Sequence, residues 1–210
     1  MSQTRIFNSA DITSQEIVQL ARALEQGAVA LLPTDTVYGL ATGAYCEASI
    51  QRIYQLKNRP ATSPLQLLAG SLAQAKEVAQ FPVGAEKLAR RFWPGALTMI
   101  LPPVSQGQAL TRGFEGLGLR VPGNLFLQKL LQQMTSVLSC TSANEHGQAV
   151  ITQEEILLHT FNGKVDYIVL AGTLSPVASS VIDLTHSPRL LREAAISRVE
   201  LEEVLGQPLD

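Results

Sequence analysis

Cysteine is nearly absent from the 210 residues: there are two, Cys46 and Cys140, far apart and without a CxxC pair or any metal-ligand spacing. That excludes a disulfide framework and a structural zinc, and fits reduced thiols in a cytoplasm. Charge is scarce too, at 16% of residues, and sums to -2 with a sequence pI of about 5.9. No bulk positive field draws such a chain to nucleic acid or anionic lipid, so an anion site has to be local. No apolar run approaches the roughly 20 residues of a membrane span, and the opening MSQTRIFNSADITSQE lacks the apolar core of a signal peptide. The expectation is a soluble, unprocessed, cytoplasmic protein.

Several chemical signatures are missing as well. There is no GxGxxG, no GxxxxGK[ST] and no GxSxG, and His146, His159 and His186 show no helical metal pairing, so they are expected on the surface or in loops. Nothing in the sequence brings Ser142 and Lys57 together as a Ser-Lys nucleophile pair.

What is present is a globular balance, with 46% hydrophobic residues and no low-complexity tract, long linker or internal repeat. Ser/Thr-x-x-Glu capping boxes at Thr13/Glu16, Thr152/Glu155 and Ser197/Glu200 announce helices, and apolar spacing predicts others over 48–57, 73–79, 85–92 and 126–134. Between them lie apolar runs of strand length: AVALL, LQLL, ALTMIL, LGLRV, SVLSC, YIVL, SVIDL and RLL. ALTMIL and LGLRV, like SVIDL and RLL, follow one another without room for a helical crossover. The prediction is a single α/β (α+β) domain spanning 1–210, with flanking helices on a twisted mixed or largely antiparallel sheet. PPVSQGQALTRGFEGLG (102–118) is the richest loop candidate, and its glycines would let it move over a site.

Four stretches carry candidate chemistry. PTDTVYGL (33–40) follows a strand and offers hydroxyls, a carboxylate and a phenol to a small polar ligand, or forms a turn that bonds its own backbone. In KNRP (57–60), Lys57 and Arg59 either share one anion site or end a helix whose dipole favours cations. Arg120 interrupts the apolar strand LGLRV and calls for an acidic partner, a substrate carboxylate or one of the protein's own acids. In SCTSANEHG (139–147), Thr141, Ser142 and Asn144 stand where a strand leaves the core; they suit phosphate or ribose oxygens, or a helix cap. Ser179, Ser180 and Arg192 add two hydroxyls and another cation late in the chain.

In order, PTDTVYGL, KNRP, RFWPGALTMIL, LGLRVPGN, SCTSAN, SSVIDLT and LLREAAI resemble the YrdC-like family of threonylcarbamoyl-AMP synthases, over about residues 28–196. The resemblance implies a YrdC-like domain with a concave, locally basic cleft. It also implies a reaction of L-threonine, bicarbonate and ATP, with Mg²⁺, serving the N6-threonylcarbamoyladenosine modification of tRNA. By that resemblance Lys57 and Arg59 are the catalytic cations and bind ATP together with Ser142, Asn144 and Arg192. Thr34 and Arg120 address the threonine, Ser180 lies where both ligands meet, and neither a protein nucleophile nor a protein-held metal is needed. Expected partners are tRNA and the transferase proteins that receive the intermediate, with no membrane. Lys57→Ala and Ser142→Ala are then expected to lower turnover and leave the melting temperature nearly unchanged.

The chain departs from the pattern in places. Longer relatives carry a histidine shortly after KxRP, where this chain reads PLQLL, and a further carboxyl-terminal domain, so this chain resembles the short form. Ala194 stands where the family usually has Gly, and Ser180 where Thr is common. The alternative is a non-catalytic paralogue binding tRNA or double-stranded RNA, against which stand the acidic balance and the lack of aromatic-basic interleaving. An enzyme of the same fold using another carbamoyl donor is disfavoured by the missing CxxC pairs.

Overall fold

Two alternating sets of side chains, one apolar and one polar, run along the central strands and decide which part of the sheet is covered and which is left open. The computed structural model describes residues 3–60, 63–145, 147–174 and 177–210; His146 lies outside the described residues. The described residues form ten strands: β1 (Arg5–Asn8), β2 (Ala30–Leu32), β3 (Gly39–Gly43), β4 (Gln66–Leu68), β5 (Leu97–Leu101), β6 (Leu117–Arg120), β7 (Leu138–Ser142), β8 (Tyr167–Leu170), β9 (Ser180–Asp183) and β10 (Arg189–Arg192). Seven α-helices accompany them: α1 (Ser14–Glu25), α2 (Glu47–Leu56), α3 (Leu72–Val78), α4 (Val83–Phe92), α5 (Leu125–Leu131), α6 (Glu154–Phe161) and α7 (Arg198–Leu205). The strands join in one sheet of order β1-β8-β2-β3-β7-β4-β6-β5-β9-β10. Its pairings include parallel β5/β9 and β4/β6 and antiparallel β5/β6 and β9/β10, so the sheet is mixed, as the spacing predicted. None of the helices is long and apolar enough to cross a membrane among the described residues.

On one face, Leu67, Leu97, Met99, Leu101, Leu117, Leu119 and Ile182 form a core with Ala75 and Val78 of α3, Ala85 and Leu88 of α4 and Leu201 of α7. The intervening positions, Gln66, Thr98, Ile100, Gly118, Arg120 and Val181, point the other way into an open cavity. Beside that cavity the same face is covered by α1 and α5, whose Leu20, Leu24, Leu127 and Leu130 pack on Ala41, Leu68 and Leu138. A third cluster puts Ile53 of α2 and Leu157 of α6 against Leu31, Leu40 and Ile168.

The sequence missed β1 and β3. β1 is an edge strand whose side chains are largely exposed, so it shows no alternation. β3 is built from GLATG, residues of low strand propensity that are needed for close approach: a Cβ at Gly39 would sit 2.5 Å from Cys140 Sγ. The capping boxes at Thr13 and Ser197 form. The one expected at Thr152 does not, because α6 starts a residue later with Gln153 at its N-cap. Glu154, at its head, accepts from the Gly172 amide at 2.5 Å and from Tyr38 Oη at 3.3 Å. The segment 102–118 is not the free loop its glycines suggested. It folds into a 3₁₀ turn over Ser105–Thr111 with Leu110 in the core, and a Cβ at Gly107 would lie 1.9 Å from the Val78 carbonyl oxygen.

Two hydroxyls are left over in this packing. Thr42 on β3 and Ser139 on β7 are register partners, fully buried, and neither side chain has a hydrogen-bond partner among the described residues. A buried unsatisfied hydroxyl costs on the order of 1–3 kcal/mol. Thr42→Val is therefore expected to raise the melting temperature by about 2–4 °C, the shift that corresponds to roughly 1 kcal/mol in a chain of this size. A drop in the calorimetric midpoint would show that the hydroxyl is held by a bond this packing does not reveal.

Candidate functional site

Strand ends, not helices, build the site. A cavity of about 450 Å³ opens where β7, β4, β6, β5 and β9 present their polar positions. Three guanidinium groups, Arg59, Arg120 and Arg192, reach it from three parts of the chain, with Glu115 and Asp183 as its acidic lining. Three guanidinium groups against two carboxylates make the cavity locally cationic in a chain of net charge -2.

Arg120, only 3% exposed, is met on three sides. Its Nε donates to Gly95 O at 2.8 Å, Nη1 to Thr36 Oγ1 at 3.0 Å and Nη2 to Asp35 Oδ1 at 2.5 Å. The protein's own acid is thus its partner, one of the two possibilities the sequence left open. Asp35 and Thr36 belong to the PTDTVYGL turn, which Thr34 closes: Thr34 Oγ1 accepts from the amides of Thr36 at 3.1 Å and Val37 at 3.2 Å and donates to Val37 O at 2.7 Å. Thr34 is consumed by the turn and does not line the cavity, whereas Thr36 and Val37 do. Sequence reasoning offered both hydroxyls of this stretch to a ligand and gave the named role to Thr34, whereas Thr36 is the one that lines the cavity.

Lys57 and Arg59 divide in a similar way. Arg59 lines the cavity, donating from Nη1 to Thr141 Oγ1 at 3.1 Å and from Nη2 to Pro64 O at 2.8 Å, while its buried Nε has no partner. Burial lowers its pKa. Lys57, at the C-cap of α2, is 1% exposed, and its Nζ donates to the carbonyl oxygens of Ser142 and Asn144 and, at 3.3 Å, to Asn144 Oδ1. It meets the carbonyl of Ser142 and not the hydroxyl, so no Ser-Lys nucleophile forms. Burial, with Arg59 beside it, pulls the ammonium down to about 8. Buried and bonded to the end of β7 as a clamp, Lys57 is expected to matter for stability, the opposite of what its sequence position suggested for Lys57→Ala.

Asn144 is part of that clamp. Its Oδ1 also accepts from Ser142 Oγ at 2.5 Å, and its Nδ2 donates to Glu145 O at 3.0 Å and Gln148 O at 2.6 Å. Of the pair, Ser142 lines the cavity and Asn144 stands behind it. Across the cavity the same division separates Ser179 from Ser180. Ser180, fully buried, donates to Ile196 O at 2.6 Å and accepts from the amides of Ala194 at 3.0 Å and Ile196 at 2.9 Å. Ala194 sits in that turn without a positive φ, so the family's Gly is not required there. Ser179 lines the cavity, and Arg192 donates to its carbonyl from Nε at 2.9 Å and to its hydroxyl from Nη2 at 3.2 Å.

The structure therefore brings Arg59, Arg120, Ser142 and Arg192 to the cavity and places Lys57, Thr34, Asn144 and Ser180 directly behind it. Gln66, Thr98 and Glu115 were missed, although the first two carried a signal: each is a polar residue at an alternate position of an otherwise apolar strand. Cys140 also borders the cavity, but burial pushes its thiol up to about 12, which leaves it inert as a nucleophile at neutral pH.

The depressed Lys57 pKa has a measurable sign. Below pH 8 the folded and unfolded chains both carry the ammonium; between about 8 and its ordinary 10.5 only the unfolded chain does. The folded state is thereby relieved of a buried charge, and stability rises with pH across that window. Lys57→Met, which strands the three oxygens, is expected to be less stable than wild type by at least about 1–3 kcal/mol at pH 7. The gap should widen toward pH 10 in denaturant melts; a gap that stays constant or narrows would contradict a depressed Lys57.

Comparison with known proteins places the chain in a family. The chain is 36% identical over 209 residues to a threonylcarbamoyl-AMP synthase of Pyrococcus abyssi, covering 97% of this chain and 62% of that one. To the protein of the same name in Bacillus subtilis it is 33% identical over 196 residues, covering 91% of this chain and 57% of that one. It thus spans about three fifths of the length of these two relatives. The crystal structure of Pyrococcus abyssi Sua5 complexed with L-threonine superposes with a TM-score of 0.90 at 34% identity, over 98% of this chain and 62% of that one. Residues 22–194 match the Sua5/YciO/YrdC family model, described as telomere recombination. With most of its length matched, and with the cavity formed by the strand ends that the family motifs occupy, the chain belongs to the Sua5/YciO/YrdC family.

Proposed function

We propose that this chain is a threonylcarbamoyl-AMP synthase, forming L-threonylcarbamoyladenylate and pyrophosphate from L-threonine, bicarbonate and ATP. The observation that carries the reading is the set of three arginines around one cavity of about 450 Å³, in a family member whose relatives bear that name. The complex of Pyrococcus abyssi Sua5 with L-threonine supports that amino acid as one ligand. In the cell the product would serve N6-threonylcarbamoyladenosine formation on tRNA, handed to transferase proteins in the cytoplasm.

The chemistry asks little covalent work of the protein. The threonine amine and bicarbonate give a carbamate with loss of water. A carbamate oxygen then forms a bond to the α-phosphorus of ATP, and the bond from that phosphorus to the bridging oxygen breaks, releasing pyrophosphate. Catalysis of such a displacement rests on alignment and on stabilising charge on the phosphoryl oxygens. Arg59 and Arg192 are assigned to the phosphates, with Ser142 beside them. Lys57 and Asn144 are assigned to the nucleotide end through the β7 loop that they hold, and Arg120 and Thr34 to the threonine through the Asp35–Thr36 turn, with Ser180 behind the meeting point.

Mg²⁺ is assigned as the companion of ATP, not as a protein-held ion. Among the described residues no three acidic, histidine or cysteine side chains converge to cage a metal. The ion favours phosphate and water oxygens with one or two carboxylates, of which Glu115 and Asp183 are the ones that line the cavity.

The reading is tested by pyrophosphate release from ATP with Mg²⁺ and bicarbonate. Release is expected with L-threonine, and much less with L-serine or no amino acid; a folded protein that shows no threonine-dependent release would sink it. Arg192→Ala removes an exposed charged donor at the cavity edge, whose hydrogen bond to a phosphate would be worth roughly 1.5–3 kcal/mol. It is expected to raise the KM for ATP about ten- to hundredfold with the melting temperature nearly unchanged, and an unaltered KM would remove Arg192 from the nucleotide site.

A further inference from the structure

Lys57 and Arg59 are two residues apart, and on a continuing helix side chains at that spacing point about 200° away from each other. In the fold they converge: Lys57 Nζ donates to Ser142 O and Arg59 Nη1 to Thr141 Oγ1, on adjacent residues of β7. The reversal that brings them together is made at Asn58. Its φ is 48°, and it and Arg112 are the non-glycine residues with a positive φ among the described residues. The Asn58 amide donates to Gln55 O at 3.2 Å and the Arg59 amide to Tyr54 O at 3.0 Å, the pair of bonds by which a left-handed residue closes a helix. Beyond it, Pro60 keeps the backbone of Arg59 extended. Tyr54, which accepts the Arg59 amide, also donates from Oη to Ser63 O at 2.8 Å and so holds the far side of the loop.

The Asn58 side chain has no place in this geometry. It is exposed and does not line the cavity, whereas Arg59 does. What the site draws from position 58 is a backbone conformation that is open to Gly, Asn and Asp and costly to other residues, most of all to β-branched ones. We propose that Asn58 is a positioning residue: its left-handed backbone turns Arg59 back beside the end of β7 and so presets the guanidinium for the phosphates of ATP. The inference rests on the nucleotide reading above and extends it to a residue outside the cavity wall. The end of the cavity assigned to threonine is built without this turn, since Arg120 is fixed by Gly95, Asp35 and Thr36. ATP and threonine therefore report on it separately.

Calorimetric titration of ATP and of L-threonine, each alone, into wild type and three variants tests the assignment. Asn58→Gly accepts the left-handed conformation and is expected to bind ATP within about twofold of wild type. Asn58→Ala and Asn58→Val shift position 58 toward right-handed backbone by a factor of roughly 5–30, which drains the conformer that carries Arg59 in the cavity. ATP is expected to bind severalfold more weakly to Asn58→Ala and about tenfold more weakly to Asn58→Val, with threonine affinity unchanged in all three. An Asn58→Val protein that melts lower yet binds ATP like wild type overturns the proposal, because position 58 would then only close the helix. So does an Asn58→Gly protein as weak as Asn58→Val, which would give the role to the side chain. An equal loss of threonine affinity also overturns it, as the mark of a general loosening. Should Asn58→Val fail to fold, Asn58→Ala against Asn58→Gly carries the same comparison. Wild-type protein that binds no ATP overturns the nucleotide reading along with this inference, whereas ATP binding indifferent to position 58 overturns the inference alone.

Discussion

Arg120 is a permanent cation in the middle of the sheet, and a guanidinium so deep has to be met on every side. Its bonds reach Gly95 before β5 and Asp35 and Thr36 after β2, so one side chain of β6 ties three separate segments together. The position of the Asp35–Thr36 turn, and hence one wall of the cavity, depends on that charge. It also explains why a strand as apolar as LGLRV can end in arginine: the charge is enclosed by partners that the fold brings from 25 and about 85 residues away.

A common construction recurs around the cavity. At each wall one polar residue faces in while a chemically similar neighbour is spent on the backbone behind it: Thr36 before Thr34, Arg59 before Lys57, Ser142 before Asn144, Ser179 before Ser180. The rear member closes a turn or clamps a strand end with bonds to main-chain atoms, and the cavity-facing one sits on the segment that is held in this way. Groups placed in this way lose little freedom when a ligand arrives, which is how a site gains affinity and alignment without further contacts. The cost of removing the two members should differ in kind: loss of a rear residue loosens the fold, loss of a front residue weakens ligand.

This pairing also limits what was legible in the sequence. The mixed sheet, most helices and the four motif stretches follow from periodicity, capping and turn residues, because those signals are local. Which of Thr34 and Thr36, or of Lys57 and Arg59, faces the cavity is set by partners 80 or more residues distant, such as Arg120 for Thr36 and Ser142 for Lys57. Gln66 and Thr98 were visible as polar interruptions of apolar strands, but only the register between β4, β6 and β5 shows that they share one floor. β3 escaped for a different reason: its glycines and alanine serve the close approach of neighbours, and small residues carry no periodic signal.

The electrostatics of the cavity follow from the same division. Burial lowers the pKa of both Arg59 and Arg192, with Arg120 adding to the effect at Arg192, so the ligand-free cavity holds cations that are poorly compensated. Arg120 is neutralised by Asp35, whereas Arg59 and Arg192 meet mainly hydroxyl and carbonyl oxygens. Partial dipoles of that kind orient a guanidinium but do not cancel its charge. In the proposed function, an anion entering between Arg59 and Arg192 would supply the missing charge at short range. The overall charge of -2 supplies no field to attract that anion from a distance, so discrimination has to arise inside the cavity, from the orientation of a few donors.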